Sequence, residues 1–370
     1  MIWDVAIAGG GPAGLAAAIE ARRVGCSVIV LERQSLPVDK ACGEGLMPSG
    51  LAALEAMGVR ARIPAEECAP FRAIHFVQED GRYVEGRLPA PGGLGIRRLA
   101  LSQAMAERAR EVGVELLEGS AVRSHTREAD GVTVETDARQ LRARLLVAAD
   151  GLHSALRKAE GLEVAHDGAA RFGLRQHFAL VPWGPWVEVH FAAGAEAYVT
   201  PAGPRRLGVA VLWENGAIAT KVTFPELLAR FPVLAERLKG AAADSEPRGA
   251  GPLRHDVPIR VKDRFVLLGD AAGYVDAITG EGLSLGFGAA AALAAVLPQA
   301  LAAGATAASL QPYARAVGAA FDDYARVASR LVWVARHPWL RRRVLDQLIA
   351  HPRWFERGLQ AAASPGLIEG

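Results

Sequence analysis

Two glycine-rich segments far apart in the chain carry residues whose types and spacing suit chemistry: GGGPAG at residues 9–14 and GDAAGYVDAITGEGL at residues 269–283. Gly9, Gly11 and Gly14 meet three needs of a dinucleotide cradle: a tight turn, bare backbone under a pyrophosphate, and close helix-to-strand packing. Pro12 and Ala13 open the following helix, whose unpaired N–H groups and dipole favour phosphate charge. Glu32, eighteen positions past Gly14, stands where an acid accepts ribose hydroxyls, with Arg33 beside it as a second contact or a solvated charge. The second segment offers Asp270 to sugar-like hydroxyls. Gly280, Glu281, Gly282 and Leu283 start a helix whose free N–H groups and dipole favour negative charge.

The elements that must position these residues follow from periodicity. Residues 3–8 (WDVAIA) read as a strand, 13–23 as a helix and 27–31 as a second strand, a βαβ unit of the length that dinucleotide folds use. Helical spacing recurs at 48–57 and 99–112, followed by strands at 114–117, 132–136 and 141–149. From 171 to 213 the texture changes to alternating, aromatic-rich strands, which predict a mixed or antiparallel sheet in a second domain. Residues 241–252 read as a linker returning the chain to a strand at 264–268. The Ala-rich run 282–297 is shorter than the roughly 20 apolar residues of a membrane span and is expected to be a buried helix closed by Pro298. The chain is helical from 311, with prolines in HPW (337–339) and HPRW (351–354) starting new helices.

The expected architecture is α/β. A discontinuous Rossmann-like cofactor domain (1–66, 96–160 and 250–320) holds an inserted mixed or antiparallel β-sheet substrate domain (67–95 and 161–249), and 321–370 form a C-terminal helical region. With 370 residues, half of them apolar, the chain can bury two cores. Lys plus Arg (42) nearly balance Asp plus Glu (40), so no basic field calls for nucleic acid. Cys26, Cys42 and Cys68 follow neither disulfide nor metal spacing, which predicts a reduced, cytoplasmic setting and no metal. The N-terminus lacks a basic leader, and Gly-Pro interrupts its apolar run, so no signal peptide is expected.

GGGPAG, the segment ADGLHSALRK (149–158) and GDAAG…GEGL occur in the order and approximate spacing of the FAD-dependent monooxygenase superfamily that includes para-hydroxybenzoate hydroxylase, and the chain also resembles geranylgeranyl reductases. KACGEGLMPSGLAALEAMGV (40–59) is similar to the flavin-facing loop and helix of geranylgeranyl reductases and flavin halogenases. The resemblance implies FAD, with Asp270 on the ribityl chain and residues 280–283 at the pyrimidine edge. It implies Asp150 and Gly151 near the pyrophosphate and a visiting NAD(P)H, a role Arg157 would share. Arg98, which opens a helix in RxxL, and Val122 are counted as FAD contacts, and Cys42, Gly43, Glu44, Gly45 and Leu46 are placed close to the ring. Cys42 would donate a proton or tune the flavin, while Glu44 reads as a structural hydrogen-bonder.

Three departures matter. No lysine lies between Lys40 and Lys158, which removes the halogenase pattern; YVTP at 198–201 differs from the reductases' Tyr/Trp-Phe-Pro; and Gly273 stands where aromatic hydroxylases often have histidine. On the second-domain strands, alternation groups Arg175 with His177 and Glu188 with His190. Arg175, His177, His190, Tyr198 and Pro201 are the expected substrate pocket, with His177 and His190 as proton-transfer candidates.

The reading is an NAD(P)H-dependent monooxygenase that oxygenates a hydrophobic, aromatic or polyketide-like molecule through a flavin C4a-hydroperoxide. The alternatives are reduction of prenyl or polyene C=C bonds and a non-catalytic FAD- or lipid-binding module. Residues 326–357 hold eight arginines against Asp346 and Glu356, with Trp333, Trp339 and Trp354. This region suits a peripheral membrane contact, a cap over a hydrophobic entrance, or packing on the cofactor domain, in a monomer or homodimer.

Overall fold

The computed structural model describes residues 1–164, 168–219 and 221–362. The four-residue strand Val28–Leu31 is buried throughout, as the continuous apolar runs of parallel sheets covered on both faces usually are. It belongs to a sheet of order Val261–Lys262, Phe265–Leu267, Gln140–Ala148, Ile2–Ala8, Val28–Leu31, Glu115–Leu117, in which the last five strands run parallel. Val122–Arg127 and Val132–Thr136 extend it as an antiparallel pair beside Gln140–Ala148. One face is covered by the helices Pro12–Arg23, Arg98–Glu111 and Gly282–Ala302, whose Leu15, Ile19, Met105, Leu293 and Leu297 share one core. Leu156 of the short helix Ala155–Ala159 packs against Ala6, Ile29 and Leu146 in a separate core.

The helix Gly282–Ala302 runs through Pro298 instead of closing there. A proline removes one main-chain hydrogen bond. The next turn is held by buried Ala300 and Leu301, with Ala303 N donating to the Gln299 carbonyl at 3.0 Å and Ala305 N to that of Ala300 at 2.7 Å. Although long and apolar enough to cross a membrane, this helix packs on the first core through Phe287, Ala290, Leu293 and Leu297.

The second sheet orders Ala242–Ala243, Arg171–Ala179, Leu207–Glu214, Ala195–Pro201, Trp186–Ala192, Ala73–Val77 and Tyr83–Arg87; Arg248–Ala250 also pairs with Arg171–Ala179. Only the pair Trp186–Ala192 with Ala73–Val77 is parallel. The segment expected as a bare linker therefore supplies two short strands. Val199, Val209 and Val211 turn one face onto Phe224, Leu227 and Leu234 of two short helices, so alternation sends Tyr198, Thr200, Ala210 and Leu212 to the other face. A small third sheet, Gly45–Leu46, Gly93–Ile96 and Cys68–Phe71, lies at the junction.

The helix Gln311–Arg336 starts on the first core, where the Tyr313 hydroxyl donates to the Leu267 carbonyl at 2.7 Å. It ends beside the second sheet. There Ala335, with Leu345 of Pro338–Ala350 and Phe355 of Pro352–Ala362, packs on Val84, Val189 and Phe191.

Candidate functional site

The glycines of the first segment are required by space. A Cβ on Gly9 would stand 2.3 Å from the Ala149 carbonyl oxygen, at φ +110°, and one on Gly14 would stand 2.0 Å from the Gly9 carbonyl oxygen. Around Gly11 the nearest atom is Lys40 Nζ at 4.0 Å, and the same ammonium is 4.0 Å from a Cβ on Gly151. The turn is thus open where a pyrophosphate would lie, with one cation over it. Glu32 is buried, its Oε2 accepting from Gly10 N at 2.7 Å and its Oε1 from Gln34 N at 3.0 Å, while Arg33 is exposed.

Between this turn and the second sheet lies a cavity of about 320 Å³. At one end Gly11, Pro12, Ala13, Lys40, Arg98 and Asp270 line it. Burial pushes the Lys40 ammonium down, reinforced by Arg98 and countered by Glu32. Burial raises the Asp270 carboxyl, and Arg98 and Lys40 pull it back. At the other end Met47, Phe71, Ile74, Phe76, Val187 and Leu212 form an apolar wall. The loop from Ala277 to Leu283 closes one side, and Glu281 stands at the N-terminal boundary of the helix that follows without a side-chain cap.

Several buried polar atoms in the cavity wall have no protein partner: Arg98 Nε, Arg175 Nε, Tyr198 Oη and Thr279 Oγ1. Native folds pair such atoms, so their concentration around one cavity fits a polar ligand that reaches from the glycine turn to the loop. With the open cradle at Gly11, they fit FAD. Burial raises Glu281 to about 7, raises the half-buried Cys42 thiol, and holds Tyr198 well above its ordinary value.

The loop 39–46 is held by a buried chain of contacts. Arg175, 1% exposed, pairs with Asp39, donates to the Lys40 carbonyl at 3.3 Å and donates from Nη1 to His177 Nδ1 at 3.1 Å. With Nδ1 accepting, the His177 proton sits on Nε2, 2.5 Å from Glu44 Oε2. Glu44 Oε1 accepts from Arg98 N at 2.9 Å, and Glu44 itself holds φ +61°, which side chains rarely adopt. Both carboxylate oxygens of Glu44 are thus hydrogen-bonded, and Cys42 Sγ accepts from the Glu44 N–H at 3.3 Å.

Arg175 and Tyr198 line the cavity, but His177 and His190 do not. His177 is committed to Glu44 and Ser245, and His190 to Glu188 at 2.9 Å, a carboxylate also held by Arg237 and Trp186. The proton-transfer role expected of the two histidines is corrected accordingly: alternation gives the face of a strand, and on these strands part of that face meets buried polar partners instead of the cavity. Pro201 turns away, its carbonyl against Gly95, and Thr200 takes the lining position. Leu46 belongs to the first core, and Val122 packs beside Ala6 and Ile29 without reaching the cavity. Arg157, fully buried, donates to the Ala271 and Leu152 carbonyls at 3.2 and 2.9 Å, so it joins two cofactor segments rather than meeting a visiting nicotinamide. Gly273 has φ +133° and Phe321 at 3.0 Å from a Cβ, so a histidine does not fit this slot.

Sequence reasoning missed Lys40, whose one signal is its place at the head of the KACGEGL loop, and the C-terminal lining residues Val327, Leu331 and Leu359.

Comparison with known proteins agrees with this geometry. The chain is 29% identical over 307 residues to menaquinone reductase of Mycobacterium tuberculosis, covering 76% of this chain and 73% of that one. It is equally identical, with 76% and 74% covered, to digeranylgeranylglycerophospholipid reductase 2 of Methanopyrus kandleri. The fold superimposes on p-nitrophenol 4-monooxygenase of Pseudomonas putida with a TM-score of 0.81 at 21% identity, covering 97% and 96% of the chains. The sequence family described as FAD binding domain matches residues 3–322, the stretch that carries the open cradle and all the unpartnered groups, and the chain belongs to that family as an FAD-dependent oxidoreductase.

Proposed function

We propose that this flavoprotein reduces carbon–carbon double bonds of a prenyl or polyene chain. The observation that carries the reading is the donor set: Cys42, Tyr198 and Glu281, which line the cavity, all hold their protons more tightly than usual because they are buried. An alkene that accepts a hydride must also receive a proton, and a protonated group in a dry, apolar pocket supplies it. Reduced FAD supplies the hydride equivalent. Arg98, Lys40 and Asp270 would hold the cofactor, the Met47, Phe71, Ile74 and Val187 wall would align the chain and exclude water, and Glu281, near 7, is best matched to proton delivery at neutral pH. Two relatives carry the names of reductases acting on menaquinone and on a digeranylgeranyl lipid, which supports reduction of a prenyl-bearing substrate here. We propose NAD(P)H as the electron donor.

The test is anaerobic. FAD-loaded protein is reduced photochemically and mixed with menaquinone or a geranylgeranyl lipid, and the product is weighed by mass spectrometry. A gain of two hydrogens per turnover supports the reading; unchanged lipid with the flavin left reduced opposes it. A second reading, oxygenation of an aromatic or polyketide-like molecule, is favoured by the aromatic lining of Phe71, Phe76 and Tyr198. Oxygen-dependent product formation from such compounds, with no anaerobic reduction of the lipid, would select it.

A further inference from the structure

We propose that the three C-terminal helices dock this protein on an anionic lipid surface, with the cavity opening at the docked face. Of the seven tryptophans, Trp333, Trp339 and Trp354 are 56%, 63% and 56% exposed, and the other four are buried or half-buried. All three exposed rings lie at the two helix corners, 333–339 and 351–354, on either side of Pro338–Ala350. Each has an exposed arginine one turn away: Arg330 for Trp333, Arg343 for Trp339 and Arg357 for Trp354, with Arg353 adjoining the last.

These arginines differ from their neighbours. Arg326 pairs with Asp323, Arg336 with Glu214, and Arg341 and Arg342 with Glu79. Among the described residues, Arg330, Arg343, Arg353 and Arg357 form no ion pair. Indole rings prefer the headgroup layer, where an apolar body and a polar N–H are both satisfied, and unpaired cations beside them complement anionic headgroups.

The same helices form the rim of the cavity. Val327, Leu331 and Leu359 line it, and Val327 is 40% exposed, so the cavity reaches the surface there. Val327, Arg330 and Trp333 follow at three-residue steps, so one stripe of the helix runs from the rim to the first tryptophan corner. An apolar substrate would therefore pass between bilayer and cavity without crossing water, whichever reaction the cavity performs.

The experiment is flotation of the FAD-loaded full chain with phosphatidylcholine vesicles, pure or mixed with phosphatidylglycerol at roughly 3:1. The expected result is binding to the mixed vesicles that weakens with salt and falls by about fivefold for each of Arg330→Gln, Arg343→Gln, Arg353→Gln and Arg357→Gln. Trp339→Ala and Trp354→Ala also weaken it, and spin-labelled lipid quenches the tryptophan emission of the bound wild type. Retained FAD absorbance shows that each variant is folded. Failure to float with either vesicle, or flotation equal to wild type when all four Arg→Gln substitutions are combined, overturns the proposal. So does an oligomer that the tryptophan variants dissociate in the absence of vesicle binding, which would assign the face to a second copy.

Discussion

Glu44 and His177 meet at 2.5 Å, carboxylate to imidazole, in a place that neither solvent nor the cavity reaches from the histidine side. One residue comes from the loop beside the cofactor cradle and the other from the second sheet, so the contact locks the two sheets in register across the site. His177→Ala leaves a buried carboxylate with Arg98 N alone and is expected to cost about 3 kcal/mol of stability in the FAD-loaded protein. Turnover per bound flavin stays within about threefold, since stability and not chemistry is lost. Denaturant unfolding and single-turnover rates measure the two; unchanged stability with collapsed turnover would return His177 to a chemical role.

The cradle separates required glycines from tolerant ones. Gly9→Ala brings a methyl onto the Ala149 carbonyl, and FAD affinity should fall on the order of a hundredfold or more. Gly25, at φ +88°, has nothing within 4 Å of a Cβ, so Gly25→Ala should cost only about 1 kcal/mol and keep the flavin. Equilibrium dialysis with FAD compares the two.

Glu281 links pH to stability. Its carboxyl ionises near 7 in the folded protein against 4.5 for the ordinary group, because burial penalises the charge. The folded state is therefore favoured by this group below about 4.5, and that advantage disappears as pH rises to about 7. Cofactor-free wild type should lose roughly 3 kcal/mol relative to Glu281→Gln across this window. Thermal melts at several pH values report the difference; parallel curves would show that the carboxyl ionises normally.

Cys42→Ser tests the donor set. The thiol lines the cavity and is held protonated by burial, and its Sγ accepts from Glu44 N, which a hydroxyl can also do. FAD binding should survive, and anaerobic alkene reduction should slow by about tenfold to a hundredfold if this thiol passes the proton. Full retention would leave Glu281 and Tyr198 as donors.

Much of the cofactor site was legible because its signals are local. The glycines, the acid at 32 and the helix start at 282 depend on neighbours a few residues away, and the short strands showed as apolar or alternating runs. Pro298 was misread because tertiary burial of Ala300 and Leu301 outweighed one lost hydrogen bond. The partners of His177 and His190 were invisible since a period of two gives a face but not what covers it. Lys40 belongs to no glycine pattern, and its position over Gly11 and Gly151 depends on the whole loop path, which Arg175 of the second sheet anchors through Asp39. The contribution of Val327, Leu331 and Leu359 to the cavity likewise arises only when the last helices cross the second sheet.

Arg157 joins residues 152 and 271, and the strand Phe265–Leu267 inserts in parallel beside Gln140–Ala148. On a ribosome, the partner of that strand is finished long before its neighbour exists. At about 5–20 residues per second the nascent chain waits on the order of ten seconds with the Leu146–Ala148 end of one sheet edge bare and the flavin cradle lacking a wall. Productive capture of FAD is thus a late event in synthesis, and flavin-starved cells should accumulate a protease-sensitive chain before they accumulate an inactive enzyme.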